Sequence, residues 1–148
     1  MTMELRRAVL EDLELIVPLF DGYRQFYGQP SDPARARAFI GERLSRGESV
    51  IFLALDHGRP LGFTQLYPVF SSTHCRPLWI LNDLYVVPEA RRNGVARMLM
   101  DQARDHAVET GACGIQLETA HTNSNAQRLY ESLGYEMDQE YRVYALRI

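Results

Sequence analysis

The chain has 148 residues, 46% hydrophobic and 24% charged, with a formal net charge of -3. That is enough for one domain with a real core, too apolar for a disordered chain, and wrongly charged for nonspecific nucleic-acid binding, while leaving room for a cationic substrate. Cys75 and Cys113 make no disulfide framework, the first seven residues lack a signal-peptide core, and no apolar run reaches membrane-spanning length. A cytoplasmic chain without a membrane partner is expected.

Met3 to Val9 reads as a short strand. Leu13, Ile16, Val17, Phe20 and Tyr23 then recur at helical spacing behind the acidic Glu11 and Asp12. Pro18 lies inside that pattern and should kink or divide the helix. A second helix is predicted with Ser31 or Asp32 as cap and Pro33 at its first position, burying Ala36, Phe39, Ile40 and Leu44 and ending at Gly47. Ser49 to Leu55 is an apolar strand, Asp56-His57-Gly58-Arg59 a turn, and Leu61 to Tyr67 the next strand, with Gly62 a bulge or a point of close approach. Ser71 to Pro77 is read as a polar loop.

The run Trp79 to Val87 is apolar on both parities and reads as a strand buried on both faces, interrupted by Asn82 and Asp83. Those two side chains should point to opposite faces, so they can line one pocket only if the strand bulges. After Pro88-Glu89 comes Arg91-Arg92-Asn93-Gly94-Val95-Ala96-Arg97, and then a helical pattern to Thr110 that buries Val95, Leu99, Ala103 and His106 or Ala107. Arginines at a helix start oppose the helix dipole. They make sense if an anion joins the exposed N–H groups there, with Gly94 letting the backbone come close. No P-loop lysine follows, and the three-glycine dinucleotide spacing is missing.

Gly114 to Thr119 is a further strand. Ser124 and Gln127 fit a capping box, and Ala126, Leu129, Tyr130 and Leu133 form one helix face. Gly134 suits the position after that helix, with Tyr135 placed to pack back on Tyr130. Tyr141 to Ile148 is predicted to close the sheet as a final strand. Strands alternate with helices in the middle and close the chain, an α/β pattern with mixed pairing.

Strand, Pro-Glu, then Arg91-x-x-Gly94-x-Ala96 at a helix start resembles a signature of the GNAT N-acetyltransferase superfamily. Asn123-x-x-Ala126-x-x-Leu129-Tyr130-Glu131-x-x-Gly134-Tyr135 resembles that superfamily's second signature. Leu81-Asn82-Asp83-Leu84-Tyr85-Val86 is similar to the polyamine and histone-like branch, whose polyamine enzymes carry Glu where this chain has Asn82. The resemblance implies a single domain over residues 1–148. Its α/β GNAT fold would be a mixed, mostly antiparallel sheet splayed at the central strand and flanked by about four helices. It also implies acetyl-CoA as cosubstrate and direct attack of a primary amine on the thioester, with no metal.

By the family's pattern, the cofactor set is Leu84, Tyr85 and Val86 along pantetheine, Arg91, Arg92, Asn93, Gly94, Val95, Ala96 and Arg97 around the pyrophosphate, and Asn123 and Tyr130 further on. Tyr130 would be the general acid, since a tyrosine with a pKa of about 10 stays protonated at neutral pH. Asn82 cannot serve as base. Asp83 and Glu118 remain as bases, acting directly or through water. Tyr23, Phe26, Tyr27, Gln65, Tyr67, Trp79 and Asn82 could meet the acceptor, the aromatic rings by cation–π contact. A homodimer built on Tyr141 to Ile148 is expected. A noncatalytic acyl-CoA-binding module is the alternative, and it would have no need of Tyr130. The four histidines and two cysteines show no metal-ligand spacing.

Overall fold

The structure, a computed structural model, describes residues 2–148. It forms two compact units, one ending at Leu117 and the other running from Glu118 to Ile148. The first unit holds five strands in sequential order: β1 (Met3–Arg7), β2 (Val50–Asp56), β3 (Arg59–Ser71), β4 (Arg76–Val86) and β5 (Ile115–Gln116). The first three pairings are antiparallel and β4–β5 is parallel, so the sheet is mixed.

Helices α1 (Leu13–Phe26) and α2 (Pro33–Arg46) cover one face. Ile16, Val17, Leu19 and Phe20 of α1 and Ala36 and Ile40 of α2 bury against Ile51, Leu53, Leu55 and Phe63. Helix α3 (Val95–Glu109) packs on the opposite face, against β2, β3 and β4. It buries Leu99, Met100, Ala103, His106 and Ala107. The His106 ring sits 5.6 Å from that of Phe52 and 4.9 Å from that of Trp79, and burial lowers its pKa.

Local chemistry explains these elements. Asp32 caps α2 by accepting from Arg35 N at 3.1 Å. Ser31 instead donates to the buried Asp21 at 2.7 Å, and Asp21 also accepts from Asp32 N at 2.8 Å, tying the α1–α2 connection to α1. His57 and Gly58 both take positive φ, as a two-residue hairpin turn demands. α1 runs undivided through Pro18, against expectation. The carbonyl that Pro18 leaves without an N–H partner belongs to Glu14, and both residues are exposed, so water can take it.

Two register shifts mark the sheet. Leu61 is the extra residue opposite Ala54 and Leu55, beside Gly62. Asn82 is the extra residue opposite Gln65 and Leu66. Gly62 is also the expected close approach, because a Cβ there would lie 2.7 Å from Tyr85 O. At Gly22 on α1 a Cβ would lie 2.8 Å from the Tyr85 hydroxyl, the end of a side chain rather than backbone.

The second unit contains α4 (Ser124–Ser132). Asn123, rather than Ser124, caps it, accepting from Ala126 N at 3.3 Å. The Gln127 amide turns away from the expected capping box and donates to Ala120 O and His121 O at 2.9 and 3.1 Å. Gly134 has φ 93°, Tyr135 N donates to Tyr130 O at 3.0 Å, and the two rings lie 6.1 Å apart. Residues 141–148 do not form the expected strand. An extended segment becomes a strand only with a ladder partner, and among the described residues this one has none. Tyr141, Val143, Tyr144 and Leu146 are accordingly exposed.

The close approach at Gly62 predicts that Gly62→Ala destabilises the first unit by about 1–3 kcal/mol, the usual cost of forcing a methyl group into packed backbone. Gly114→Ala is the control, since its Cβ would have ordinary contact, 3.8 Å from Leu78 Cδ1. Urea unfolding of both variants checks the contrast.

Candidate active site

The site is organised by the insertion in β4. Gln65 pairs with Asp83 and Leu66 with Leu81, so Asn82 has no partner on β3. A bulge suspends strict alternation. Asn82 Nδ2 therefore reaches Asp83 Oδ1 at 2.8 Å, and the condition under which both side chains can share one place is met. Asn82 is exposed, while Asp83 is 1% exposed.

Asp83 is held from several sides. Gln65 Nε2 donates to Oδ2 at 2.6 Å, and Ser49 Oγ donates to Gln65 Oε1 at 2.7 Å. Thr64 Oγ1 donates to Asp83 O at 2.8 Å. From α1, the Tyr23 hydroxyl donates to Asn82 O at 2.9 Å and also reaches the Asp83 carboxylate. Burial nevertheless pushes the Asp83 carboxyl up to about 6, because the donors only partly replace lost water; the bonds from Asn82, Gln65 and Tyr23 pull it down. Nearby Tyr67 is pushed up to about 12, first by burial and then by the charge of Asp83, with Arg43 acting in the opposite sense. A buried carboxyl titrating near neutrality beside an exposed bulge is suited to accepting a proton.

β4 is open on its other side. It pairs with β5 only through Trp79–Ile115 and Ile80–Gln116, so within residues 2–117 Leu84, Tyr85 and Val86 lie on an edge without a neighbouring strand. This is the expected splay. Arg91 turns back on it, with Nε donating to Val86 O at 3.0 Å and the guanidinium 5.8 Å from the Tyr85 ring centroid. Arg92 and Gly94 both take left-handed backbone, with φ 67° and 78°. Gly94 is the N-cap of α3 and brings no side-chain cap. The first-turn N–H groups, from Val95 through Arg97, have no partner inside a helix. With Arg92 and Arg97 exposed beside them, the segment can receive a polyanion such as a pyrophosphate. A Cβ on Gly94 would meet nothing within 4 Å, so within the chain its glycine is required by φ.

The remaining sequence-derived residues are distributed differently. Tyr27 and Phe26 are 54% and 60% exposed at the end of α1, and the Tyr27 ring is 5.0 Å from that of Tyr23. Gln65 is fully buried, so it touches Asp83 rather than an acceptor. Trp79 lies in the core under α3, 8% exposed, with Nε1 donating to Thr110 Oγ1 at 2.9 Å, and it is not available to an acceptor. Glu118, Asn123 and Tyr130 belong to the second unit; Glu118 is exposed, and the Asn123 side-chain oxygen is engaged as the α4 cap. Sequence reasoning missed Ser49 and Thr64, two small buried hydroxyls whose roles depend on cross-strand register. Among the described residues, no three His, Cys, Asp or Glu side chains gather as a metal site, and no helix is long and apolar enough to cross a membrane.

Residues 16–135 match the Acetyltransferase (GNAT) family. An uncharacterized N-acetyltransferase of Bacillus subtilis (strain 168), YhfO, is 46% identical over 146 residues, covering 99% of this chain and 98% of the relative. The crystal structure of a probable acetyltransferase, 48% identical, superposes with a TM-score of 0.94 over 98% of this chain and 97% of the other. The aminoglycoside N-acetyltransferase AAC(6')-Iy in complex with CoA is 23% identical and shares the fold, with a TM-score of 0.79 over 99% of this chain and 96% of that one. The chain belongs to the GNAT family and is an N-acetyltransferase with that family's α/β fold.

The raised Asp83 carboxyl has a consequence for stability. Its unfolded value is near 3.8 and its folded value about 6, so the folded chain holds the proton more tightly. Its contribution is fully present below the unfolded value and is lost as pH rises through the folded one, to the extent of about 3 kcal/mol. The lowered carboxyls of Asp12 and Asp21, held down by hydrogen bonds that outweigh burial, work in the opposite sense. Asp83→Asn is therefore expected to gain stability relative to the wild type between about pH 4 and about pH 7, read as the difference between the two denaturation curves.

Proposed function

We propose that the enzyme transfers the acetyl group of acetyl-CoA to a primary amine by direct attack in a ternary complex. The observation that carries this reading is Asp83, a carboxyl raised to about 6 on the bulge of β4, next to the unpaired edge at Leu84–Val86. An alkylammonium is protonated at neutral pH and is no nucleophile. Asp83, buried beneath exposed Asn82, takes its proton through water, the freed amine attacks the thioester carbonyl, and backbone N–H groups of β4 stabilise the oxyanion. Tyr130 donates the proton that the departing thiolate needs. Exposed Glu118 is the alternative base and would act through water.

Residues 1–148 act in this reading as one N-acetyltransferase domain, supported by a family match that spans both units. Acetyl-CoA lies with its pantetheine along Leu84, Tyr85 and Val86 and beside Asn123, and with its pyrophosphate at Arg91 to Arg97. The acceptor meets Asn82, Tyr23, Tyr27 and Tyr67, whose rings suit a cation. The strand Leu81 to Val86 favours a small cationic amine of the kind used in the polyamine and histone-like branch, although Asn82 replaces that branch's glutamate. Release of CoA with a panel of amines tests the acceptor class: turnover confined to acceptors without a basic amine would remove the role given to Asp83. The protein works in the cytoplasm, a reading supported by two unpaired cysteines.

Acetyl-CoA binding should weaken as salt rises, because the charges concerned are exposed. Gly94→Val should lower affinity in calorimetry and, because valine is strained at a left-handed φ, also cost some stability; unchanged affinity of the folded variant would remove the loop from the cofactor site. Tyr130→Phe keeps the ring and removes the donor. It should leave affinity nearly unchanged and cut turnover by roughly 10²-fold, the low end for a general acid because a thiolate is a good leaving group. Normal turnover with a small loss of melting temperature would return Tyr130 to a packing role. The exposed apolar residues of 141–148 support a homodimer, which light scattering should detect as a concentration-dependent mass.

A further inference from the structure

Three strands contribute one buried polar line on the α1–α2 side of the sheet. Ser49 stands just before β2, Gln65 is central in β3, and Asp83 is in β4. Ser49 is 6% exposed and Gln65 is fully buried. A polar line in such a place costs stability unless every group is matched, and aliphatic residues would fill the space more simply. Its direction is set by chemistry. Ser49 donates to the Gln65 carbonyl, which turns the amide nitrogen toward Asp83, where a carboxylate can only accept. Oδ2 thus faces the buried Gln65, whereas Oδ1 faces exposed Asn82.

We propose that Ser49 and Gln65 are positioning residues for acetyl transfer, holding Asp83 Oδ2 so that Oδ1 is the oxygen that takes the acceptor's proton. The proposal rests on the reading of Asp83 as base. In the step, an N–H bond of the ammonium breaks and an O–H bond forms at Oδ1. The electron pair stays on nitrogen, which becomes the nucleophile, and the carboxylate becomes a neutral acid. Asn82 can turn its amide to accept from the new O–H group, while the Gln65 donor stays on Oδ2 throughout. The other titratable groups facing this place are Tyr23 from α1 and Tyr67 from β3, with Arg43 of α2 acting on Tyr67.

The test follows the Asp83 carboxyl directly, by carbon-13 NMR titration of the full-length protein without ligand. Gln65→Met keeps the volume and removes the donor, and should raise the Asp83 midpoint by about one pH unit or more. Ser49→Ala should raise it by less, since Gln65 is then free to turn its carbonyl toward Asp83, and Ser49→Thr should keep it. An unchanged midpoint in both Gln65→Met and Ser49→Ala overturns the proposal. If Gln65→Met fails to fold, the Ser49→Ala and Ser49→Thr pair decides alone. The pH dependence of kcat/KM with acetyl-CoA and butylamine separates the underlying reading. A rising limb that moves with the NMR midpoint supports both roles. An NMR midpoint that moves while the limb stays fixed removes Asp83 as base and leaves the hydrogen-bond line a structural device.

Discussion

One inserted residue in β4 governs the centre of this enzyme. Without Asn82 as an extra residue, Asp83 and its neighbour would alternate across the sheet and could not bond to each other. With it, a carboxyl sits among matched donors at the margin of the core, one oxygen bonded to the exposed Asn82 amide and the other to buried Gln65. Burial and hydrogen bonding act on Asp83 in opposite senses, and burial wins. That balance distinguishes Asp83, 1% exposed, from Asp12 and Asp21, less deeply buried carboxylates at 7% and 6% exposed whose pKa values are lowered. Those two accept backbone N–H groups, from Val9 and Asp32, which Asp83 does not.

The same strand supplies the second requirement. β4 is held firmly by β3 along its whole length and by β5 for only two residues. Within residues 2–117 part of its edge is left without a strand partner, which is normally a hazard, since the backbone groups invite another chain. Here Arg91 folds back over the end of that edge, and the left-handed turn at Arg92 and Gly94 carries the chain directly into α3. Strand edge and helix start are thus consecutive in the chain, so an extended ligand with an anionic end can meet both.

Much of this was legible in the sequence because it follows from local pattern. The glycine at the start of α3, the arginines opposing the helix dipole and the aromatic end of α1 are all readable from neighbours in the chain. Asp32 as a cap and Tyr135 packing on Tyr130 belong to the same class. What could not be read depends on register. Ser49 and Thr64 look like ordinary small strand residues until β2, β3 and β4 are aligned. Gln65 seemed available to a substrate, but its pairing with Asp83 puts it fully inside. Trp79 was misplaced for a related reason: on a strand covered on both faces, periodicity does not say which side a ring takes, and this one goes under α3. The last eight residues have strand-like composition but find no ladder partner among the described residues, and composition alone cannot supply one.

The contact between Gly22 and Tyr85 bears on how such an enzyme can diversify. A Cβ on Gly22 would lie 2.8 Å from the Tyr85 hydroxyl, so the helix bearing Tyr23 packs closely on a side chain of the strand bearing Asp83. Under the proposed function, new acceptor preferences arise through the exposed side chains at the end of α1, such as Phe26 and Tyr27. Those positions make none of the hydrogen bonds to Asp83, so under that proposal the choice of substrate can vary separately from the chemistry performed on it.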